Sequence, residues 1–267
     1  MWSIRPLVFS LVACAGFPGP ASAQVAPSAR PPACPLAPFA AGIAASVSDG
    51  RTFVLADGRE IRLAGIEVPP LAADGAASAG LAAKAALAGL VAGRDIVLAQ
   101  HTPDRYGRLL AFVTREGVDH SIQRELIAQG YARVAPEPGA CTAELLAAER
   151  AARRARLGLW ADPDYSLKRA ETPAAVLAEK GRFTLVQGKV VSVRESGGTI
   201  YVNFGRRWSE DFTVTISKRN ERMFAAAGLE PKKLAGRLVE VRGWIEERGG
   251  PWIEATRPEQ IMIVAGE

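Results

Sequence analysis

Aromatic and cationic side chains alternate in the last third of the chain, where Tyr201, Phe204, Trp208, Trp244 and Trp252 are interleaved with Arg206, Arg207, Arg242 and Arg248. Aromatic faces stack unpaired bases and guanidiniums track the phosphates between them, so this composition could hold a single-stranded nucleic acid. The same residues also fit a plainer use, in which Phe204, Trp244 and Trp252 fill a core and the arginines decorate strand edges. Cys34 and Cys141 are a second pair with chemistry of their own. If Cys14 leaves with a leader, they form an even count in a compartment that permits disulfides, and a Cys34–Cys141 bridge is expected. Two cysteines with His101 and His120 show no zinc-ligand spacing, so a structural zinc is not expected.

The elements that must position these residues follow from hydrophobic period. Residues 44–47, 52–55 and 60–66 alternate apolar and polar around the turn signals Asp49-Gly50 and Asp57-Gly58, which predicts an antiparallel meander. Leu81, Ala85, Leu87 and Leu90 make one apolar stripe over 77–92, a helix that Gly93 stops. Strands are predicted at 96–99 and 109–114, and helices at 120–129 and 142–156, the last with Thr142 as its N-cap. Glu144, Glu149, Arg150, Arg153, Arg154 and Arg156 line the polar face of that helix, read as solvated and laced with intrahelical ion pairs. Five strands with helices placed late in the order predict a small closed barrel.

Residues 163–180 turn polar and include Pro163 and Pro173, the mark of a linker. Beyond them, strands are predicted at 183–193, 199–204, 211–216, 237–246, 252–255 and 261–264, with a short helix at 220–227. This pattern predicts a second, OB-like barrel over 181–267. The fold class is therefore mainly β with helices (α+β).

The start of the chain reads as a leader over 1–23: Arg5, an apolar run from Leu7 to Phe17, and the small-residue site Ala21-Ser22-Ala23. The competing reading is a lipoprotein acylated at Cys14. A Pro/Ala-rich segment over 24–40 follows, and no later stretch is apolar and long enough to span a bilayer. Periplasmic or secreted localisation is the expectation. The formal charge is +5 over 267 residues, compatible with a polyanionic partner but no proof of one.

Four segments occur in order: Asp49-Gly50-Arg51-Thr52, Arg62-Leu63-Ala64-Gly65-Ile66-Glu67-Val68-Pro69, Asp104-Arg105-Tyr106-Gly107-Arg108-Leu109-Leu110-Ala111, and Leu145-Leu146-Ala147-Ala148-Glu149 through Gly158-Leu159-Trp160. Together they make 41–162 resemble the staphylococcal (thermo)nuclease family. That resemblance implies an OB-like five-stranded barrel with three helices. It also implies a calcium ion and two arginines on the scissile phosphate, with a glutamate activating the attacking water. The arginine positions fall on Arg62 and Arg108, and Tyr106 stands at an aromatic near the nucleotide.

The sequence departs from the family pattern at the metal and the base. Arg51 occupies a calcium-ligand position, which leaves Glu67 as the candidate metal carboxylate, and Pro70 occupies the position of the general base. A cation in place of a carboxylate moves the site two charge units toward repelling Ca²⁺, worth several kcal/mol in a partly desolvated cleft, roughly the interaction of close charges at intermediate dielectric. Loss of the base costs a further ~10²–10⁴-fold in rate. His101 or Asp74 could serve as a relocated base. Pro136 and Pro138 replace a pair of aromatics expected after the second helix.

What the resemblance leaves is a phosphate corner of Arg51, Arg62 and Arg108 without a calcium cofactor. Those arginines could also be structural, with Arg62 paired to Glu67 and Arg108 to Asp104, or with Arg51 bridged to Glu67 in place of the metal. The expected function is an exported, non-catalytic or weakly active phosphodiester- or polyanion-binding module. The alternatives are an active nuclease with a rearranged site and an envelope adaptor that binds protein. Single-stranded nucleic acid, another polyanion and a protein all remain open as partners.

Overall fold

The structure is a computed structural model that describes residues 2, 34, 36–71, 78–104, 106–135 and 141–264. Apart from Trp2, the expected leader (1–23) lies outside the described residues, as do Asp74, Arg105, Pro136, Pro138 and the His101 side chain.

In the first domain, β1 (Pro38–Asp49), β2 (Thr52–Leu55), β3 (Glu60–Leu63), β5 (Asp95–Pro103) and β6 (Leu109–Arg115) close a barrel in the order β1-β2-β3-β6-β5. Closure depends on β1, whose twelve residues pair with β5 through one half and with β2 through the other. Register irregularities between Ala44 and Ser46 and between Val47 and Asp49 bend it around the corner. A two-stranded ladder joins β4 (Ile66–Glu67) to β7 (Arg133–Val134) outside the barrel.

Three helices cover the barrel: α1 (Ala79–Val91), α2 (Ile122–Ala128) and α3 (Thr142–Arg154). The Ser78 hydroxyl caps α1 by accepting from the Leu81 amide at 3.3 Å. Phe53, Ile61, Leu63, Leu87, Leu98 and Leu126 fill the core with no exposed surface. Gly80 lets α1 lie against the 68–71 segment, because a Cβ there would stand 2.2 Å from the Pro70 carbonyl oxygen. The N-cap of α3 is Cys141, not Thr142. Cys141 sits at φ 85° with no side-chain cap bond, because its sulfur is joined to Cys34 in a disulfide.

The stretch read as a linker carries structure. It contains β8 (Lys168–Arg169), which pairs with the next strand, and α4 (Pro173–Leu177), whose Val176 is fully buried. The second domain continues with β9 (Phe183–Lys189), β10 (Ser192–Ser196), β11 (Thr199–Asn203), β12 (Thr213–Ser217), α5 (Glu221–Ala226), β13 (Leu238–Trp244), β14 (Glu246–Arg248), β15 (Gly250–Glu254) and β16 (Ile261–Ile263). These strands form two sheets, β10-β11-β12-β15-β14 and β16-β13-β9-β8, where an OB-like barrel was expected. The single strand predicted over 183–193 breaks at Val190 and Val191. The Val190 amide bonds Arg237 in one sheet and the Val191 amide bonds Asn203 in the other, so the chain changes sheets there.

The polar face of α3 is solvated only in part: Arg150, Arg154 and Arg156 are exposed, whereas Glu149 and Arg153 turn toward the second domain. Glu149 is fully buried, accepts from the Val134 amide at 2.8 Å and pairs with Arg242 of the second domain at 2.7 Å. Arg153 reaches Glu240 at 2.9 Å. Both domains fall in one compact unit. Among the described residues no helix is long and apolar enough to cross a membrane.

Candidate anion-binding cleft

Arg62 takes its direction from strand alternation. Its β3 neighbours Ile61 and Leu63 point into the core, so Arg62 points out of the barrel. The Asp49-Gly50-Arg51 turn stands beside it, since Thr52 pairs with Arg62. Asp49 folds that turn by accepting the Arg51 amide at 2.8 Å. The Arg51 guanidinium donates to the Ile66 carbonyl at 3.1 Å and to the Glu67 carboxylate at 2.5 Å. Burial pushes the Glu67 carboxyl above its ordinary range, while the neighbouring guanidiniums, Arg51 first, pull it back.

The β4–β7 ladder sets Arg133 opposite Glu67. Arg133 is 7% exposed, yet its side chain has no hydrogen bond or ion pair among the described residues, and its Nε lacks any partner. Its charge lies 5.5 Å from the ring centres of both Tyr165 and Phe183. Burial lowers its pKa, opposed by Glu149 and Glu67 at longer range. Arg62 is half-buried and likewise unpaired among the described residues, and burial together with Arg51 and Arg108 lowers its pKa. Buried guanidiniums left without a counter-charge are costly, and an anion relieves them.

These groups line a cleft of about 520 Å³ between the domains. Asp49, Arg51, Arg62, Glu67 and Pro70 contribute one wall, and Tyr165, Arg182, Phe183 and Trp244 contribute the other. Four arginines (Arg51, Arg62, Arg133, Arg182) face two carboxylates (Asp49, Glu67), an excess of two positive charges. Trp244 is 49% exposed and meets Phe183 edge to face at 6.3 Å, so it is a wall of the cleft and not the core residue of the plainer reading. Arg242, expected at a strand edge, is buried against Glu149.

Of the three arginines grouped by sequence, Arg51 and Arg108 stand close enough to Arg62 to depress its pKa, and each is ion-paired. Arg51 is held by Glu67. Arg108 forms a two-pronged pair with Asp104, its Nε and Nη2 each 2.7 Å from one carboxylate oxygen, and lies 5.2 Å from the Tyr106 ring centre. Neither Arg108 nor Tyr106 lines the cleft. Sequence reading missed Arg133, Tyr165, Arg182 and Phe183; a cation within the short apolar run Ala132-Arg133-Val134 was the one local signal.

Residues 60–162 match the family model of the staphylococcal nuclease homologues. The first domain is staphylococcal nuclease-like. No curated protein matches the chain. The matched span begins at β3, takes in Arg62, Glu67, Pro70, Arg108 and Arg133, and ends before the second domain. A domain of this type supports nuclease-like or nucleic-acid-binding use.

Calcium is the ion that the resemblance expects at this corner. The ion takes about six to eight oxygens, whereas the Glu67 carboxylate is bonded to the Arg51 guanidinium and Asp49 accepts the Arg51 amide. Among the described residues no group of three or more His, Cys, Asp or Glu side chains is placed to hold a metal.

Proposed function

We propose that this chain is an exported module that binds phosphodiesters without hydrolysing them, gripping a single-stranded nucleic acid between its two domains. The observation that carries this reading is the pair of guanidiniums, Arg62 and Arg133, that have no hydrogen bond or ion pair among the described residues, in a cleft whose acidic corner is closed by the Arg51–Glu67 ion pair. Phosphate oxygens accept the donors that the protein leaves unsatisfied, and guanidinium is suited to bidentate contact with them. The half-exposed Trp244 ring stands on the same cleft and offers a planar face to an adjoining base. Pro70 lines the cleft where the nuclease family carries its base, and proline cannot take a proton.

Export rests on the leader-like 1–23 segment and on the Cys34–Cys141 disulfide, a bond that persists in oxidising compartments.

The test is incubation of the purified protein with labelled single-stranded DNA and RNA, with and without Ca²⁺, beside Arg62→Ala. The expected result is binding that weakens steeply with salt and falls in the variant, with no cleavage above background. Cleavage that requires Ca²⁺ and is lost in Arg62→Ala would restore the nuclease reading.

A further inference from the structure

The five-stranded sheet of the second domain has two unlike faces. Ile200 and Val202 of β11, with Val214 and Ile216 of β12, turn inward and are at most 1% exposed. Their neighbours therefore turn outward, and the register sets Tyr201 between Arg194 of β10 and Thr215 of β12. Asn203 and Thr213, paired across the same ladder, continue that outer face. The 204–212 loop carries Trp208, which is 76% exposed, and Tyr201 is 37% exposed.

Two hollows of about 530 and 770 Å³ meet on this face and share Tyr201, Asn203 and Trp208. The Arg248 guanidinium lies 3.5 Å from the centre of the Trp252 ring, which is itself buried. Arg194, Arg206 and Arg219 also line the hollows, and none of the three has an ion pair among the described residues. Glu254 is the single carboxylate among the lining residues. A floor of hydroxyls and an amide, two exposed rings and an excess of cations do not match an apolar partner. They match a flexible polyanion that also carries planar groups.

We propose that this outer face is a second binding site, separate from the interdomain cleft, for single-stranded nucleic acid. Bases stack on Tyr201 and Trp208, and phosphates meet Arg194, Arg206 and Arg219. The site does not depend on the cleft reading, because it shares no residue with it.

The experiment is fluorescence anisotropy of labelled oligothymidylate with the full chain at low and physiological salt, with heparin as a polyanion that has no bases. Tyr201→Ala/Trp208→Ala should weaken oligothymidylate about tenfold or more, with much less effect on heparin. Arg194→Ala/Arg206→Ala/Arg219→Ala should weaken both and flatten the salt dependence. The five side chains are exposed, and a circular dichroism melt verifies that each variant folds. Oligothymidylate binding that is untouched by both variants but abolished by Arg62→Ala overturns this proposal and leaves the cleft reading standing. Equal losses for heparin and oligothymidylate in the Tyr201/Trp208 variant overturn the base-stacking assignment.

Discussion

Arg242 of the second domain donates to Glu149 of the first at 2.7 Å, and both side chains are at most 3% exposed. The same guanidinium also reaches the Val134 carbonyl at 3.1 Å and Glu240 at 3.1 Å, while Arg153 closes the network on Glu240. Four charged side chains with mutually satisfied donors and acceptors thus join the domains directly beneath β7, the strand that carries Arg133. The cleft depends on this joint, since one of its walls comes from each domain.

Removing one member of such a buried pair leaves the other uncompensated, so Arg242→Ala should cost about 3–5 kcal/mol. Urea unfolding should change from one transition in the parent to two separated transitions in the variant. A single transition with an unchanged midpoint would show that the domains are not held by this network.

Arg133→Met should have opposite effects on stability and binding. Replacing an unpaired buried guanidinium with an apolar side chain of similar length removes a desolvation penalty, so the melting temperature should rise, by about 1 kcal/mol or more in stability terms. Oligonucleotide affinity at the cleft should fall about tenfold, because one charged donor is lost. If stability falls and binding holds, Arg133 is a structural group and not an anion ligand.

Calcium should leave the melting temperature of the parent unchanged, because the Glu67 carboxylate is bonded to Arg51. Arg51→Asp both frees Glu67 and restores a carboxylate, so this variant should show a calcium-dependent rise. Differential scanning fluorimetry with and without millimolar Ca²⁺ checks both statements. A rise in the parent would contradict the reading of this corner.

Burial raises the Glu67 carboxyl above its ordinary 4.5. A carboxyl raised on folding adds stability that is complete below its unfolded pKa and is lost as pH rises through its folded pKa. Protonating it also removes one of the two negative charges in the cleft, so anion affinity should climb as pH falls toward that range. Glu67→Gln should bind oligonucleotide more tightly than the parent at pH 7 and show a flatter pH profile. A variant with the parent's profile would place the titrating group elsewhere.

The Cys34–Cys141 disulfide closes a loop spanning 107 residues of sequence, and its loss should cost about 2–4 kcal/mol. Denaturant midpoints with and without reductant measure this. Alkylation of the folded, unreduced protein followed by intact-mass measurement should find neither cysteine modified.

Much of the architecture was legible because it is local. Alternation in 44–47, 52–55 and 60–66 is set by a period of two residues, and the barrel strands follow it; the helix expected over 77–92 also forms, but α1 buries Ala83, Leu87 and Val91 while Leu81 and Ala85 of the expected stripe are exposed. The Arg51–Glu67 and Arg108–Asp104 pairs were also within reach of sequence, the first through the family pattern and the second because its partners are four residues apart. Local pattern could not show which polar face would be buried. Glu149 and Arg153 have the spacing of a solvated helix face, and Arg242 has that of a strand edge. Their partners lie 87 and 93 residues away, where no period reaches. For the same reason the cleft was invisible, because Arg133, Tyr165, Arg182 and Trp244 become neighbours of Arg62 only when the domains pack. Sequence determined most of the strands and helices of the first domain, although not β8 and α4 in the stretch read as a linker. Tertiary packing decided which charges are left without partners, because burial and pairing are properties of the space around a side chain and not of its place in the chain.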